Sequence, residues 1–486
     1  MSQAGKTYLV VFLLIGLLIG TGIGWFVKPA PAGVVPQDEY DELQSELDAT
    51  TSQLNDANAE LTTVRSDLDT ATAELASAQE GLENLQKALA GSLLLLYEPP
   101  VETELTGEVP IGGLFCLTGD LATYGENELT AAQFAAEQVN AFLGTLGVKW
   151  TLKIMPEDTE TKSDIVLEKL ESLAAKGIKL VIGPLSSGEV ASIKGYCDAN
   201  KILAISQSST APDLAIPDDF IFRFCPTDKL GQGPAIARIL YDDGKRYVIP
   251  FTRNDAWGVG LEEATASRFE EMGGTFLEGI RYAPEAQEFS AEASDLAAKV
   301  TAAIDAYGAD EVCVLEISFA EVVPIFTAAS EYEVLSTVKW FGSDGTCAES
   351  AILEDPTALD FAATVEFPST IFAPTESAKL EMVRQHNLEV LGREPESYSY
   401  TVYDIVWVYA MCLLQVDAYD AEAIAEIVPE VAASYFGASG WIDLDESGDR
   451  KAGDYVIWQI VETTPGEYGW EIVGKYILVT DSVEWH

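Results

Sequence analysis

Lys179-Leu180-Val181-Ile182-Gly183-Pro184-Leu185-Ser186-Ser187-Gly188 and Ile202-Leu203-Ala204-Ile205-Ser206-Gln207-Ser208-Ser209-Thr210-Ala211-Pro212 are the stretches that decide the fold. Each opens on a short apolar run, the pattern of a strand buried on both faces of a parallel sheet. Each then breaks into Gly, Pro and hydroxyl residues. Ligands of open α/β sheets sit outside the carboxyl ends of the strands. Ser and Thr there, beside free backbone N–H groups, can hold a small anion such as a carboxylate. Either cluster alone is equally ordinary loop chemistry. Two of them, one strand-helix-strand unit apart, favour a binding cleft.

The chain around these stretches has 486 residues, enough for two or three domains with substantial cores. It carries 79 acidic and 28 basic residues, a formal net charge of −51. Nucleic acid is not expected as a partner, because phosphate binding needs clustered Lys and Arg. The acidity reads as a solvated surface suited to salty surroundings. Six cysteines (Cys116, Cys197, Cys225, Cys313, Cys347, Cys412) include no C-x-x-C pair, and several lie in apolar runs as buried free thiols do. His386 and His486 are the only histidines, which argues against a His-based zinc site or a Ser-His-Asp triad. No G-x-x-x-x-G-K-[ST] loop occurs. No cofactor, no metal and no enzymatic activity are therefore expected.

Three segments follow along the chain. Residues 1–35 read as a membrane anchor, with Tyr8 to Val27 an apolar run of about 20 residues, the length that crosses a bilayer as a helix. Ala30-Pro31-Ala32 keeps a cleaved signal open as the alternative to a retained anchor. Gly16, Gly20 and Gly24 share one helix face, where small residues let helices approach. Lys6 and Lys28 flank the span equally and barely discriminate its orientation; the short N-terminus favours export of the rest. Residues 36–98 read as a coiled-coil stalk. Tyr40, Leu47, Leu54, Leu61, Leu68, Leu75, Leu82 and Leu89 occupy one heptad position, and Leu43, Thr50, Ala57, Val64, Ala71, Ala78 and Leu85 its partner. Such a stalk would make a homo-oligomer and reach on the order of 75–80 Å at ~1.5 Å per residue. A lone amphipathic helix is the alternative.

Beyond Pro99-Pro100, strand and helix patterns alternate from about Glu108 to the C-terminus, predicting α/β architecture with mostly parallel sheets. Strands are expected over 110–117, 248–252, 311–315 and 338–341, and helices over 129–143 and 164–176.

Several motifs in this order resemble the type I periplasmic solute-binding proteins, specifically the leucine/isoleucine/valine-binding family that feeds ABC importers. They are Ile111-Gly112-Gly113-Leu114 with Leu117-Thr118-Gly119 and Tyr124-Gly125, Ile182 to Ser187, Ile205 to Pro212, Phe222-Arg223, Gln232-Gly233-Pro234, Ala256-Trp257-Gly258 and Gly342-Ser343-Asp344-Gly345. The resemblance covers roughly residues 108–480. It implies two α/β lobes joined by three crossovers, with lobe 1 over 108–227 plus 367–438 and lobe 2 over 228–366 plus 439–486. It also implies an amino acid closed between the lobes and an ABC permease as partner.

Carried over by position, the α-carboxylate contacts fall on Ser187, Ser208 (through its backbone) and Thr210, and the acidic partner of the α-ammonium on Asp344. Donors for one end and an anion for the other are what an amino acid requires in a dry cleft. An Asx turn is the alternative role of Asp344. Tyr124 would line the cleft from lobe 1. Trp257 stands where the family has Tyr, and either covers the ligand or packs. Ser186 replaces a family Cys, so that disulfide is absent, and the aromatic near Ser318-Phe319 aligns ambiguously. Asp443-x-Asp445-x-Ser447-Gly448, with Asp454 beyond, imitates a calcium loop, but the resemblance makes it a turn between strands. The function expected is a single-pass, membrane-anchored extracellular or periplasmic receptor delivering a small amino acid, branched-chain or similar, to an importer. A ligand-sensing ectodomain of a signalling complex and a stalked structural surface protein are the alternatives.

Overall fold

The computed structural model describes residues 104–486 and, before them, Arg65. The expected anchor (8–27), cleavage site (30–32) and stalk (36–98, Arg65 apart) lie outside the described residues.

Two parallel sheets organise the described chain. The first contains β1 (Gly107–Phe115), β2 (Trp150–Asp158), β3 (Leu180–Ile182), β4 (Leu203–Ser206), β5 (Ile221–Pro226) and β12 (Asp449–Arg450), in the order β12-β5-β4-β3-β1-β2. The second contains β6 (Tyr247–Arg253), β7 (Thr275–Phe276), β8 (Ile280–Tyr282), β9 (Val312–Ile317) and β10 (Lys339–Phe341), ordered β10-β9-β6, with β7 and β8 both on β6. A third, antiparallel sheet joins β11 (Pro368–Phe372), β13 (Tyr455–Thr464), β14 (Glu467–Ile477) and β15 (Ser482–Trp485). Each expected strand and helix is present within a few residues; the first strand begins earlier, at Gly107, and the helix expected at 129–143 spans Ala122–Thr145.

Alternation within β3 and the first three residues of β4 shows why these runs are apolar. Leu180, Ile182, Leu203 and Ile205 enter a core shared with the helices Ala122–Thr145 and Ser397–Val416. Val181 and Ala204 enter the opposite core, against the helices Ser163–Ala175 and Ser187–Asn200. Both faces are covered, so these positions are apolar, and the polar Ser206 that ends β4 is buried with its hydroxyl bonded to Pro184 O. Ser397–Val416 is the one described helix long and apolar enough to cross a bilayer, and it is largely buried inside this lobe.

The chain passes between the lobes three times, after β5, after β11 and after β12. Two boundaries differ from expectation. Residues 439–450, expected in lobe 2, belong to lobe 1: Ile442 and Leu444 join its core, and β12 pairs in parallel with β5. Residues 368–372, expected in lobe 1, pair instead with β13. The reason for the first is an ion pair. Arg223 Nε and Nη2 donate to the two carboxylate oxygens of Asp449 at 2.6 and 2.5 Å, with both side chains buried. The Asp443–Asp454 stretch forms a turn whose carboxylates are engaged: Asp445 accepts from Ser447 N and Asp449 N, Asp443 pairs with Lys451, and Asp454 with Lys475. All six cysteines are buried and free.

Breaking a buried pair by removing one member leaves an uncompensated charge and costs about 3–5 kcal/mol. Urea unfolding of the Asp449→Ala chain, followed by tryptophan fluorescence, is expected to show a loss of that size. A loss no larger than that of an exposed pair, under about 1 kcal/mol, would contradict the role assigned to Arg223–Asp449.

Candidate functional site

Between the lobes lies a small, nearly filled cavity of about 20 Å³, room for little more than one water molecule with the lobes closed. Its wall is built from residues that follow strand ends: Leu121 and Tyr124 after β1, Leu185 to Ser187 after β3, Ser208 after β4, Trp257 after β6, Phe319 after β9, and Asp344 and Gly345 after β10. Tyr398 completes it from the first turn of Ser397–Val416.

On the lobe 1 side, hydroxyl groups lace the two loops together. Ser187 Oγ lies 3.0 Å from Ser209 Oγ and accepts from Ala211 N at 3.2 Å. Ser206 donates to Pro184 O at 2.7 Å, and Ser208 Oγ to Leu185 O at 2.9 Å. Arg223 Nη1 donates to the carbonyls of Ser209 and Ala211, at 3.1 and 2.7 Å, fixing the second loop from behind. Ser186, at the family's cysteine position, caps the helix Ser187–Asn200 through a reciprocal box with Glu189. No lysine or arginine lines the cavity, so this wall offers neutral donors.

Asp344 is the charged residue of the lining. Its Oδ2 accepts from Tyr398 Oη at 2.6 Å, while Oδ1 has no hydrogen-bond partner among the described residues. Burial raises its pKa from the ordinary carboxylate value to about 6. The Asx-turn alternative is not what forms, because the turn is closed by Ser343 and Thr346 through Thr346 N and Oγ1 on Ser343 O. Gly345 is required by close approach: a Cβ there would lie 2.3 Å from Ser318 O and 2.6 Å from the Trp257 ring.

Trp257 and Phe319 stack with centroids 4.5 Å apart and planes 19° apart, forming an apolar roof. Arg253 sits over Phe319 at 4.6 Å and bonds Glu321, Asp255 and, across the lobes, Asp120 at 3.3 Å. Ala320 N donates to Asp120 O at 3.2 Å. Deeper in, Tyr124 Oη approaches Asp344 O at 2.6 Å and Cys347 O at 2.5 Å, and Thr123 donates to Glu349 at 3.0 Å. These bonds join the lobes in a closed arrangement.

Five of the six residues singled out from sequence, Ser187, Ser208, Asp344, Tyr124 and Trp257, therefore meet around one cavity. Thr210 is buried but does not line it; its hydroxyl lacks a partner among the described residues, and its carbonyl accepts from Asp228 N. Tyr398 was missed. Its only signal is a helix start after Pro395, with Glu396 as cap accepting from Ser399 N. Among the described residues no cluster of three or more His, Cys, Asp or Glu is arranged to hold a metal.

Comparison with known proteins agrees with this architecture. The family model described as "receptor family ligand binding region" matches residues 127–463. The chain is 32% identical over 395 residues to the uncharacterized protein MJ1266 of Methanocaldococcus jannaschii, covering 78% of this chain and 91% of that one. It is 24% identical over 374 residues to Leu/Ile/Val-binding protein homolog 1 of Brucella melitensis, covering 75% of this chain and 93% of the relative. In fold it is similar to the leucine-binding protein LivK of Thermotoga maritima, with a TM-score of 0.63, 21% identity, and 75% and 97% of the two chains covered. It is similarly close to the branched-chain amino acid transporter substrate-binding protein LivJ of Streptococcus pneumoniae, solved with isoleucine, with a TM-score of 0.62, 19% identity, and 75% and 99% covered. The Brucella, Thermotoga and Streptococcus relatives are named as binding proteins. With its two parallel-sheet lobes closed over a small cavity, the chain belongs to the receptor-family ligand-binding-region family, among relatives of the Leu/Ile/Val-binding proteins.

Proposed function

We propose that this chain is the solute receptor of an ABC importer and captures a small amino acid, branched-chain or similar, between its lobes. The observation that carries the reading is the polarity of the cavity. Serine residues line it from lobe 1, and from lobe 2 comes one buried carboxylate whose Oδ1 has no hydrogen-bond partner among the described residues. A zwitterion matches both ends: its carboxylate takes Ser187 and the backbone at Ser208, and its ammonium takes Asp344. Leu121, Leu185, Trp257 and Phe319 offer an apolar surface to an aliphatic side chain. The names of the relatives support the same ligand class. Closing of the lobes on the ligand would be the signal read by a permease. The N-terminal apolar run and heptads would tether the receptor outside the membrane as an oligomer.

Three outcomes follow. A thermal-shift screen of the chain against amino acids should find ligands that stabilise it by ~2.7 kcal/mol at 100 times their dissociation constant, and silence across the panel would refute the reading. Asp344→Asn should weaken the best ligand roughly 30-fold or more, since truncating one partner of a buried charge pair costs about 2–5 kcal/mol; calorimetry with unchanged affinity would remove Asp344 from the site. Asp120→Ala, which cuts a half-exposed bond between lobes and touches no part of the cavity wall, should raise the dissociation constant roughly 2- to 6-fold. It should also expand the ligand-free chain in small-angle scattering, and no change in either readout would show that Arg253–Asp120 does not hold the lobes shut.

A further inference from the structure

A helix of lobe 2 and a loop of lobe 1 meet at a point that neither lines the cavity nor belongs to the Arg253–Asp120 bond. The helix Ala256–Glu271 carries Trp257 in its first turn and Gly260 one turn later. The loop that carries Ser208 runs on through Ala211 into a single 3-10 turn, Pro212–Leu214. A Cβ placed on Gly260 would stand 2.8 Å from Pro212 Cδ. That is about 1 Å inside the ordinary separation of two non-bonded carbons. Gly260 lies within the helix, where alanine is the better residue by propensity. Close approach, not backbone conformation, is therefore what glycine supplies there.

Neither side of the contact yields easily. Cδ is closed into the pyrrolidine ring, so no change of rotamer swings it aside. Ala211, just before it, is held by its N–H on Ser187 Oγ at 3.2 Å and by its carbonyl on Arg223 Nη1 at 2.7 Å. On the lobe 2 side Trp257, Leu261 and Phe269 root the helix in the apolar core. Asp255 caps its first turn by accepting from Gly258 N at 2.9 Å. Beside the contact runs a groove of about 470 Å³, with Pro212 and Asp213 on one wall and Gly260 and Glu263 on the other. The groove shares no lining residue with the ligand cavity.

We propose that Gly260 is a positioning residue for closure of the lobes: a notch without a side chain in which Pro212 comes to rest. The loop that holds the ligand's carboxylate and the helix that carries the roof residue Trp257 then arrive together. The inference rests on the amino-acid reading of the cavity and adds to it a contact that touches no ligand. A methyl group at Gly260 acts as a wedge between two rigid segments. It shifts the equilibrium toward the open form, and apparent affinity falls with the fraction of chain able to close.

The test is calorimetry of the full chain with L-leucine, with small-angle scattering of the ligand-free protein, for Gly260→Ala, Pro212→Ala and the double variant. Gly260→Ala should weaken leucine about 5- to 150-fold, the range for a methyl forced into a packed contact, and should widen the scattering profile. Pro212→Ala removes Cδ, so the double variant should recover most of the affinity and the compact profile, a coupling that independent sites do not show. Unchanged affinity or an unchanged profile in Gly260→Ala overturns the proposal and leaves the amino-acid site standing. A loss that Pro212→Ala fails to relieve also overturns it, because the defect then lies within lobe 2. Failure of leucine and the other branched-chain amino acids to bind the wild type overturns the reading of the site. The scattering of the ligand-free variants still decides the notch, which requires Gly260→Ala to be wider than the wild type and the double variant not to be.

Discussion

Parallel pairing obliges every strand of a sheet to end at one edge, and in this chain the ends of six strands from two sheets meet at one cavity. The rest of the site depends on that constraint. Strand ends expose turns, helix N-termini and small polar side chains, which cannot be buried in the sheets themselves. Closing two such edges against each other hides these groups from water, and each hidden group then needs a partner. Lobe 1 meets the requirement internally, with serine hydroxyls bonding neighbouring carbonyls and amides. Lobe 2 meets it in part, because Asp344 has Tyr398 on one oxygen and no hydrogen-bond partner among the described residues on the other. The site is defined by that inequality.

Arg223 connects this chemistry to the fold. It holds the carbonyls of the loop carrying Ser208 and Thr210 and also fastens the returning segment at Asp449. One guanidinium thus ties a binding loop to a crossing between lobes. The mouth of the cleft is organised the same way, with Arg253 bonding acids of both lobes while covering a wall residue. In a chain with 79 acidic and 28 basic residues, the few buried cations sit where separate segments must be held together.

Most of the site was legible because its residues follow strands, and a strand buried on both faces shows itself as an uninterrupted apolar run. Ser187, Ser208, Trp257 and Asp344 stand just past such runs or early in the next helix, where local sequence and fold agree. Tyr398 was not legible, since it reaches the cavity from the start of a helix whose placement is decided by packing against Ala122–Thr145. Thr210 was carried to the cavity wall by position along the chain, but its neighbours Ser187 and Ser208 occupy that wall. The placement of residues 439–450 failed for a similar reason. An Asp-rich turn before an apolar strand looks like the start of a lobe 2 hairpin, whereas the bond that decides it joins residues 226 positions apart. Phe319, ambiguous in sequence, is settled by its stack on Trp257.

The central claim is that the cavity reads both ends of an amino acid at once. Calorimetry of the chain with L-leucine, 4-methylpentanoate and 3-methylbutylamine tests it directly, because the last two keep the side chain and delete one charged end each. The account predicts binding of leucine and a loss of roughly 30-fold or more with either analogue, the consequence of leaving a buried polar group unpaired. Equal binding of the acid or the amine would contradict it.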